Sequence, residues 1–311
     1  MGQQVWAVNS LGGFLHSDTF SKKVRHAAQP LMKFRQFVDA EGAMGKNRGD
    51  AVLFDKISNI STQGGTLSET STIPKRNYTI KQGTLTVNEY GNAVPFTLKA
   101  QTLAEVSVPD IVKVVLRNDE AKVLDSAAAA EFKTSDYKAT ITNTATTTFG
   151  TAGAALATSN ASMSDKNVRD IVDKLKTLNV PRYDGNDFIC IAATNSIRGL
   201  YDYFESKIIY TSENAKKMFA GEVGRYYGCR YIEETNVLVN TLGSSSVNGE
   251  AVFFGADAVR EGIAIPENIR IDLPKDFGRD QGIAWYYLGG LVKTWDFSTD
   301  GETRIIHVTS L

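Results

Sequence analysis

The apolar positions of this chain change rhythm several times, and the changes divide it. Ala51–Ile60 reads as a strand. From Ser58 to Arg76 only Ile60, Leu67 and Ile73 are aliphatic, among Ser, Thr, Gln, Gly, Asn and a few charges. A returning strand begins at Tyr78. Its apolar side chains fall on even positions at Tyr78 and Ile80, then on odd ones at Leu85 and Val87, so a bulge is expected near Gly83. Glu89-Tyr90-Gly91-Asn92 reads as a turn into a third strand carrying Val94, Phe96 and Leu98. An isolated two-stranded ribbon buries too little surface to offset its ordering entropy. A ribbon this polar therefore points to an assembly subunit, ordered by something outside its own chain.

A long helix follows. No Gly or Pro interrupts Asp110–Lys133, and Ala127–Ala130 is a run of the strongest helix former. Ser107 is the expected cap, Pro109 suits the first turn and Asp110 complements the positive helix end. Twenty-four residues at ~1.5 Å each give a rod of roughly 36 Å. Thr140–Asn160 reads as a Thr/Ala/Gly/Ser-rich connection. From Ser164 the texture becomes α/β. A stripe of Val168, Ile171, Val172, Leu175 and Leu178 predicts a helix, Phe188–Ala193 a buried strand, and Thr194–Ser206 a second helix. Glu213–Phe219 is a third helix candidate, and Arg230–Glu233 and Ala251–Phe254 are strands. Past Pro266 the chain is strand-rich again. Ile283, Trp285, Tyr287, Leu291, Trp295 and Phe297 share odd parity, interrupted at Gly289-Gly290, and Asp300-Gly301 signals a hairpin. The whole reads as α+β.

Composition narrows the function. Lys plus Arg number 34 against 35 Asp plus Glu, a net charge of −1, so there is no basic excess for gripping nucleic acid. The N-terminus lacks the basic-then-apolar layout of a signal peptide, and no apolar run approaches membrane-spanning length. Two cysteines, Cys190 and Cys229, make neither a disulfide framework nor a zinc site. The three histidines, His16, His26 and His307, have no nucleophile or metal partners nearby in sequence. Gly221, Gly224 and Gly228 form neither a dinucleotide fingerprint nor a phosphate loop and read as turn glycines. Asp170 and Asp173 read as a solvated helix face. No catalytic residue, cofactor site or metal site is assigned.

Two segments carry a family resemblance. Val87-Asn88-Glu89-Tyr90-Gly91-Asn92-Ala93-Val94 is similar to a string in capsid proteins of podovirus-type tailed phages. Gly224-Arg225-Tyr226-Tyr227-Gly228-Cys229-Arg230-Tyr231-Ile232-Glu233-Glu234-Thr235 resembles a segment entering an axial-domain strand in the same branch. With the order of arm, polar ribbon, long helix, α/β unit and long strands, the chain resembles the major capsid protein of tailed bacteriophages, the Hong Kong 97-type fold.

The resemblance implies an N-terminal arm at 1–48 and an extended loop at 49–98. It implies a peripheral domain at 99–159 and 266–311, with a spine helix at about 110–133, and an axial domain at 160–265. The implied function is structural and non-enzymatic. Pentamers and hexamers of the chain form an icosahedral virion head around double-stranded DNA, which is contacted non-specifically, and assembly takes place in the host bacterial cytoplasm without a membrane. The chain starts directly at the arm, so a separate scaffolding protein is the expected partner, with a portal and a decoration protein as further ones. Leu67, Ile73, Lys75, Arg76, Tyr78 and Lys81 are the candidate intersubunit contacts, and Gly49, Gly83 and Gly91 the candidate hinges. The alternative with the same fold is an encapsulin-like compartment shell.

Overall fold

The computed structural model describes residues 27–42, 49–60, 64–70, 72–104, 106–183, 185–208, 224–272 and 276–311. His16, His26, Gly221 and the helix candidate Glu213–Phe219 lie outside them.

Among the described residues, three sheets and one long helix organise the chain. The ribbon pairs β2 (Ala51–Ser58) with β3 (Thr79–Thr86) in antiparallel register, from Ala51 opposite Thr86 to Ser58 opposite Thr79. No bulge occurs at Gly83. The register is unbroken, and the change of parity has another cause. Val52, Phe54, Lys56, Lys81, Gly83 and Leu85 face the body, while Leu53, Ile57 and Ile80 face away from it. The ribbon has an apolar group on each side, and parity alone did not reveal which side was covered.

The second sheet has four strands in the order β1 (Asp39–Gly42), β11 (Val259–Ile271), β12 (Asp280–Lys293) and β4 (Asn88–Thr97). The expected turn at Glu89–Asn92 is instead part of β4, paired continuously with β12 from Asn88 opposite Gly289 to Thr97 opposite Asp280. Chain direction changes between sheets at Val87, whose N–H donates to the Asp50 carbonyl at 2.8 Å. β11 runs through Pro266. The ladder shifts register between Ile263 and Ile265 and again between Ile265 and Asn268, which accommodates a residue with no N–H to donate. Odd positions of β12 are buried at Ile283, Trp285 and Tyr287, as the alternation predicts.

The third sheet has seven strands: β6 (Thr146–Gly150), β5 (Lys138–Asn143), β13 (Ile305–Val308), β10 (Ala251–Phe254), β7 (Phe188–Ala192), β9 (Cys229–Glu233) and β8 (Arg225–Tyr226). α3 (Asp165–Thr177) and α4 (Thr194–Ile208) cover one face. There Val168, Ile171, Val172, Leu175, Ile197 and Leu200 pack on Phe188, Cys190, Phe253 and Ile306. The other face presents Ile189, Ile191, Val252, Phe254 and Ile305. Burial on both faces explains why β7 and β10 are unbroken apolar runs. Ser164 caps α3 in a reciprocal capping box with Asn167.

The sheets divide the chain differently from the sequence boundaries. β5, β6 and β13, expected at 99–159 and 266–311 in the layer of the long helix, belong to the seven-stranded sheet. The first half of β11, expected in the 160–265 layer, lies in the four-stranded sheet. Thr-rich segments such as 140–150 are β-prone because branched side chains suit a pleated surface. The expected connection there is a hairpin. Asp300-Gly301 is no strand hairpin either. A short helical turn, Phe297–Asp300, ends on Gly301 in the left-handed region, and the chain then enters the other sheet.

The long helix, α2 (Val108–Lys133), joins the layers. Ser107 holds the N-cap position, but its side chain makes no capping bond, leaving Pro109 and Asp110 to shape the first turn. Val112, Leu116 and Leu124 pack on Ile283, Trp285 and Tyr287 of the four-stranded sheet. Ala128, Ala129 and Phe132 pack on Phe254, Val252 and Ile305 of the seven-stranded sheet. Twenty-six residues span about 39 Å, enough for one rod to serve both cores.

Candidate assembly interface

The root of the ribbon is tied down by a few groups. Leu85 is fully buried and Phe54 is 8 % exposed. The Phe54 ring lies across Gly83, where a Cβ would stand 2.3 Å from the ring Cζ. The Arg260 guanidinium sits 5.2 Å from the same ring. Lys56 Nζ donates to the buried Asp300 carboxylate at 2.8 Å and approaches the Trp295 ring. Gly290 on β12 lets the ribbon come close, since a Cβ there would stand 2.1 Å from the Thr86 carbonyl oxygen. These are close-packed contacts of the kind that fix an orientation.

Beyond the root, the ribbon offers apolar surface to solvent. Ile57 and Ile80 stand opposite each other in register, 64 % and 55 % exposed. Leu53, Ile60, Leu67, Ile73 and Tyr78 are also more than half exposed. Monomeric soluble proteins rarely leave so many large apolar groups together in the open. The expected contacts Leu67, Ile73, Lys75, Arg76 and Tyr78 all lie in this exposed region. Lys81 differs, because its Nζ turns inward to the Thr299 carbonyl and stands 3.8 Å from Asp300 Oδ1, tying the ribbon to its own body. Leu53, Ile57 and Ile80 were not among the expected contacts. Their strands were readable in the sequence, but the face they present depends on what covers Phe54.

The glycines differ in role. Gly49 has φ +91° with open space around it, at the point where the chain enters the ribbon. Gly83 and Gly91 stand inside unbroken ladders. Each is a close approach, Gly83 under Phe54 and Gly91 where a Cβ would stand 2.9 Å from the Trp285 carbonyl oxygen. In the other resemblance segment, Tyr227 and Gly228 both have positive φ and turn β8 into β9.

The body that aims the ribbon is held by buried polar groups. Asp125 on α2 accepts hydrogen bonds from the Phe34 and Arg35 N–H groups at 2.8 and 3.1 Å, fixing the segment before β1. Burial raises its carboxyl above the ordinary range, against those bonds. Lys133, Lys138, Glu250 and His307 meet where α2 ends on the seven-stranded sheet. His307 Nδ1 lies 2.8 Å from Lys138 Nζ, its Nε2 is 3.3 Å from Glu250 Oε1, and Lys133 Nζ donates to Glu250 Oε2 at 2.7 Å. Burial lowers the His307 imidazole below its usual value, and it lowers the Lys138 ammonium to about 8. Burial would raise Glu250, but hydrogen bonds from His307, Lys133 and the Val239 N–H overcome it and hold the carboxyl at about 2. The quartet ties the end of α2 to the seven-stranded sheet. Among the described residues, no three His, Cys, Asp or Glu side chains are grouped to hold a metal ion.

No protein-family model matches the chain, and no curated protein is recognisably similar to it in sequence. Solved structures do match it. The capsid of Ralstonia phage GP4 is similar at a TM-score of 0.71 and 12 % identity, over 99 % of this chain and 97 % of that one. The capsid of cyanophage P-SCSP1u is similar at 0.69 and 13 % identity, over 96 % and 94 %. The head of Helicobacter pylori bacteriophage KHP40 is similar at 0.68 and 11 % identity, over 100 % and 99 %. With identities this low the likeness is one of fold, and across nearly its whole length the chain carries the Hong Kong 97-like fold of tailed-phage capsid proteins.

Proposed function

We propose that the chain is the major capsid protein of a tailed bacteriophage of the podovirus type, self-assembling as pentamers and hexamers into the icosahedral head that encloses double-stranded DNA. The observation that carries this is the ribbon. It is anchored at its root by Phe54, Leu85 and Lys56, yet it displays Leu53, Ile57, Ile80 and Tyr78 to solvent. Such a face is satisfied when it lies on a neighbouring copy. Burying apolar surface at about 25 cal/mol per Å² then supplies the association energy that a lone subunit lacks. Heterologous contacts of this kind close into rings. Gly49, free of close neighbours, is the hinge that lets one chain meet neighbours at different angles.

In this reading the four-stranded sheet with α2 forms the peripheral domain and the seven-stranded sheet the axial one. The role is structural, not enzymatic. A separate scaffolding protein, a portal and a decoration protein are the further partners, DNA meets a near-neutral wall, and assembly occurs in the host bacterial cytoplasm. Deleting Gln63–Thr72 tests it. The variant is expected to stay folded and soluble but to form no shells by negative-stain microscopy when co-expressed with the neighbouring genes. Normal heads from the deletion would overturn the ribbon's role. Small shells made by the wild-type chain alone would favour the compartment reading instead.

A further inference from the structure

The end of α2 rests on the seven-stranded sheet through charges that one arrangement of protons satisfies. α2 stops at Lys133, whose carbonyl has no partner further along the helix. Lys138, the first residue of β5, supplies one by donating from Nζ to that carbonyl at 2.7 Å. The same Nζ lies 2.8 Å from Nδ1 of His307, which stands opposite Lys138 in the β5–β13 ladder. An ammonium only donates, so Nδ1 has to accept, and the ring hydrogen sits on Nε2. Nε2 is 3.3 Å from Glu250 Oε1, a carboxylate oxygen able to take that hydrogen. Glu250 Oε2 is engaged by Lys133 Nζ at 2.7 Å and by the Val239 N–H at 2.8 Å. A neutral imidazole therefore reaches Lys133 twice, at its carbonyl through Lys138 and at its ammonium through Glu250.

A second proton on His307 breaks this arrangement. A hydrogen on Nδ1 would point at the Lys138 ammonium, donor against donor. Water gives little relief, since His307 is 4 % exposed and Lys138 8 %. The charged groups facing the pair are Lys133 from α2, Glu250 from the segment before β10, Asp136 from the turn between α2 and β5, and Lys293 from the end of β12. Lys293 is itself held by Asp296 at 2.8 Å and by the Thr134 carbonyl at 3.0 Å. Glu250 has both oxygens occupied, so no carboxylate is left over for a further cation. The weak line is the ladder between β5 and β13, which pairs only His307 with Lys138 and Val308 with Ala139.

We propose that His307 is a proton switch for the joint between α2 and the seven-stranded sheet. Neutral, it holds Lys138 under the helix end. Protonated, it expels Lys138 and frees the last turn of α2 while both sheets stay folded. Because α2 packs in the cores of both sheets, the switch sets how firmly the two layers move together. It belongs to the single chain, whether or not shells form.

Nuclear magnetic resonance and hydrogen exchange on the full-length chain test it. At about pH 7 the ring nitrogens of His307 should show a hydrogen on Nε2 and none on Nδ1; a hydrogen on Nδ1 overturns the proposal. Phe132 and Lys133 lie in the last turn of α2, and the His307 N–H donates to the Tyr137 carbonyl at 3.1 Å. Between about pH 6.5 and about pH 5.5 the protection of these three amides, corrected for the intrinsic rate at each pH, should fall by up to about tenfold, the limit for one proton. A local opening exposes little surface, so this exchange should respond weakly to dilute urea, whereas the Phe188–Ala192 amides, opening with the whole core, respond steeply. The same urea response in both groups overturns the switch. His307→Gln keeps an acceptor for Lys138 and a donor for Glu250 but takes up no proton, so the fall should vanish; an undiminished fall overturns the proposal. Lys138→Met removes the opposing ammonium, and His307 should then titrate at a higher pH than in the wild type. An unchanged titration contradicts the part given to Lys138.

Discussion

Phe54→Ala should detach the ribbon without unfolding the body. Phe54 is 8 % exposed, its ring lies over Gly83, and Arg260 sits 5.2 Å from its centroid. Removing a buried phenylalanine ring costs about 3–5 kcal/mol. Its position at the margin of the body places the loss near the low end, about 3 kcal/mol, with the cation–π contact of about 0.5–1 kcal/mol inside that figure. At 1.4 kcal/mol per factor of ten, the ratio of docked to undocked ribbon falls about a hundredfold. An undocked two-stranded ribbon frays, so hydrogen exchange at the amides of Thr79–Thr86 should accelerate by about the same factor. Amides of Phe188–Ala192 and Ala251–Phe254, buried between two helical layers, should not change. Shell yield should fall with docking. Equal acceleration in the ribbon and in those central strands would refute the reasoning, since Phe54 would then belong to the global core. No acceleration in the ribbon would show that Leu85 and Lys56 suffice alone.

The other perturbations act on the body. Gly290→Ala places a methyl group 2.1 Å from the Thr86 carbonyl oxygen, and overpacking of about 1–3 kcal/mol should loosen the ribbon root; unchanged exchange at Thr86 and Val87 would count against it. Asp125→Ala leaves the Phe34 and Arg35 N–H groups without their acceptor, costing about 1–3 kcal/mol, and limited proteolysis should then release residues 27–42 earlier than from the wild type; equal resistance would contradict this. His307 gives a pH dependence. Its folded-state pKa lies below the ordinary 6.5, first through burial and then through the charge on Lys138, with Glu250 opposing. The unfolded chain therefore binds the proton first, and stability falls as pH drops through 6.5 toward the folded value. Thermal melts between about pH 7 and pH 5.5 should show this slope, and His307→Gln should flatten it; an identical slope in both proteins would rule His307 out as the source. Glu250, held at about 2, contributes stability above 4.5 that is lost only as pH falls from there toward 2.

Sequence by itself determined what periodicity and propensity encode locally. The uninterrupted helix could be read from the absence of Gly and Pro, and its observed start differs by only two residues. The stripe from Val168 to Leu175 and the runs Phe188–Ala192 and Ala251–Phe254 were equally clear, because burial on a helix stripe or on both strand faces leaves a one-dimensional trace. The polar ribbon was recognisable as an element without a core of its own. Tertiary structure decided which strand sits beside which and which face is covered. Glu89–Asn92 looks like a turn in isolation yet lies in mid-strand, because β12 supplies a partner across its full length. Ile305–Val308 lies between β10 and β5 and does not return on β12. Gly83 looked like a bulge and Gly290 like a break, but each, like Gly91, is a point where another part of the chain comes too near for a Cβ. Lys81, an expected contact between copies, stands 3.8 Å from Asp300 of its own chain. Pairing, facing and close approach arise between residues far apart in sequence, and the local pattern at either residue carries no record of its partner.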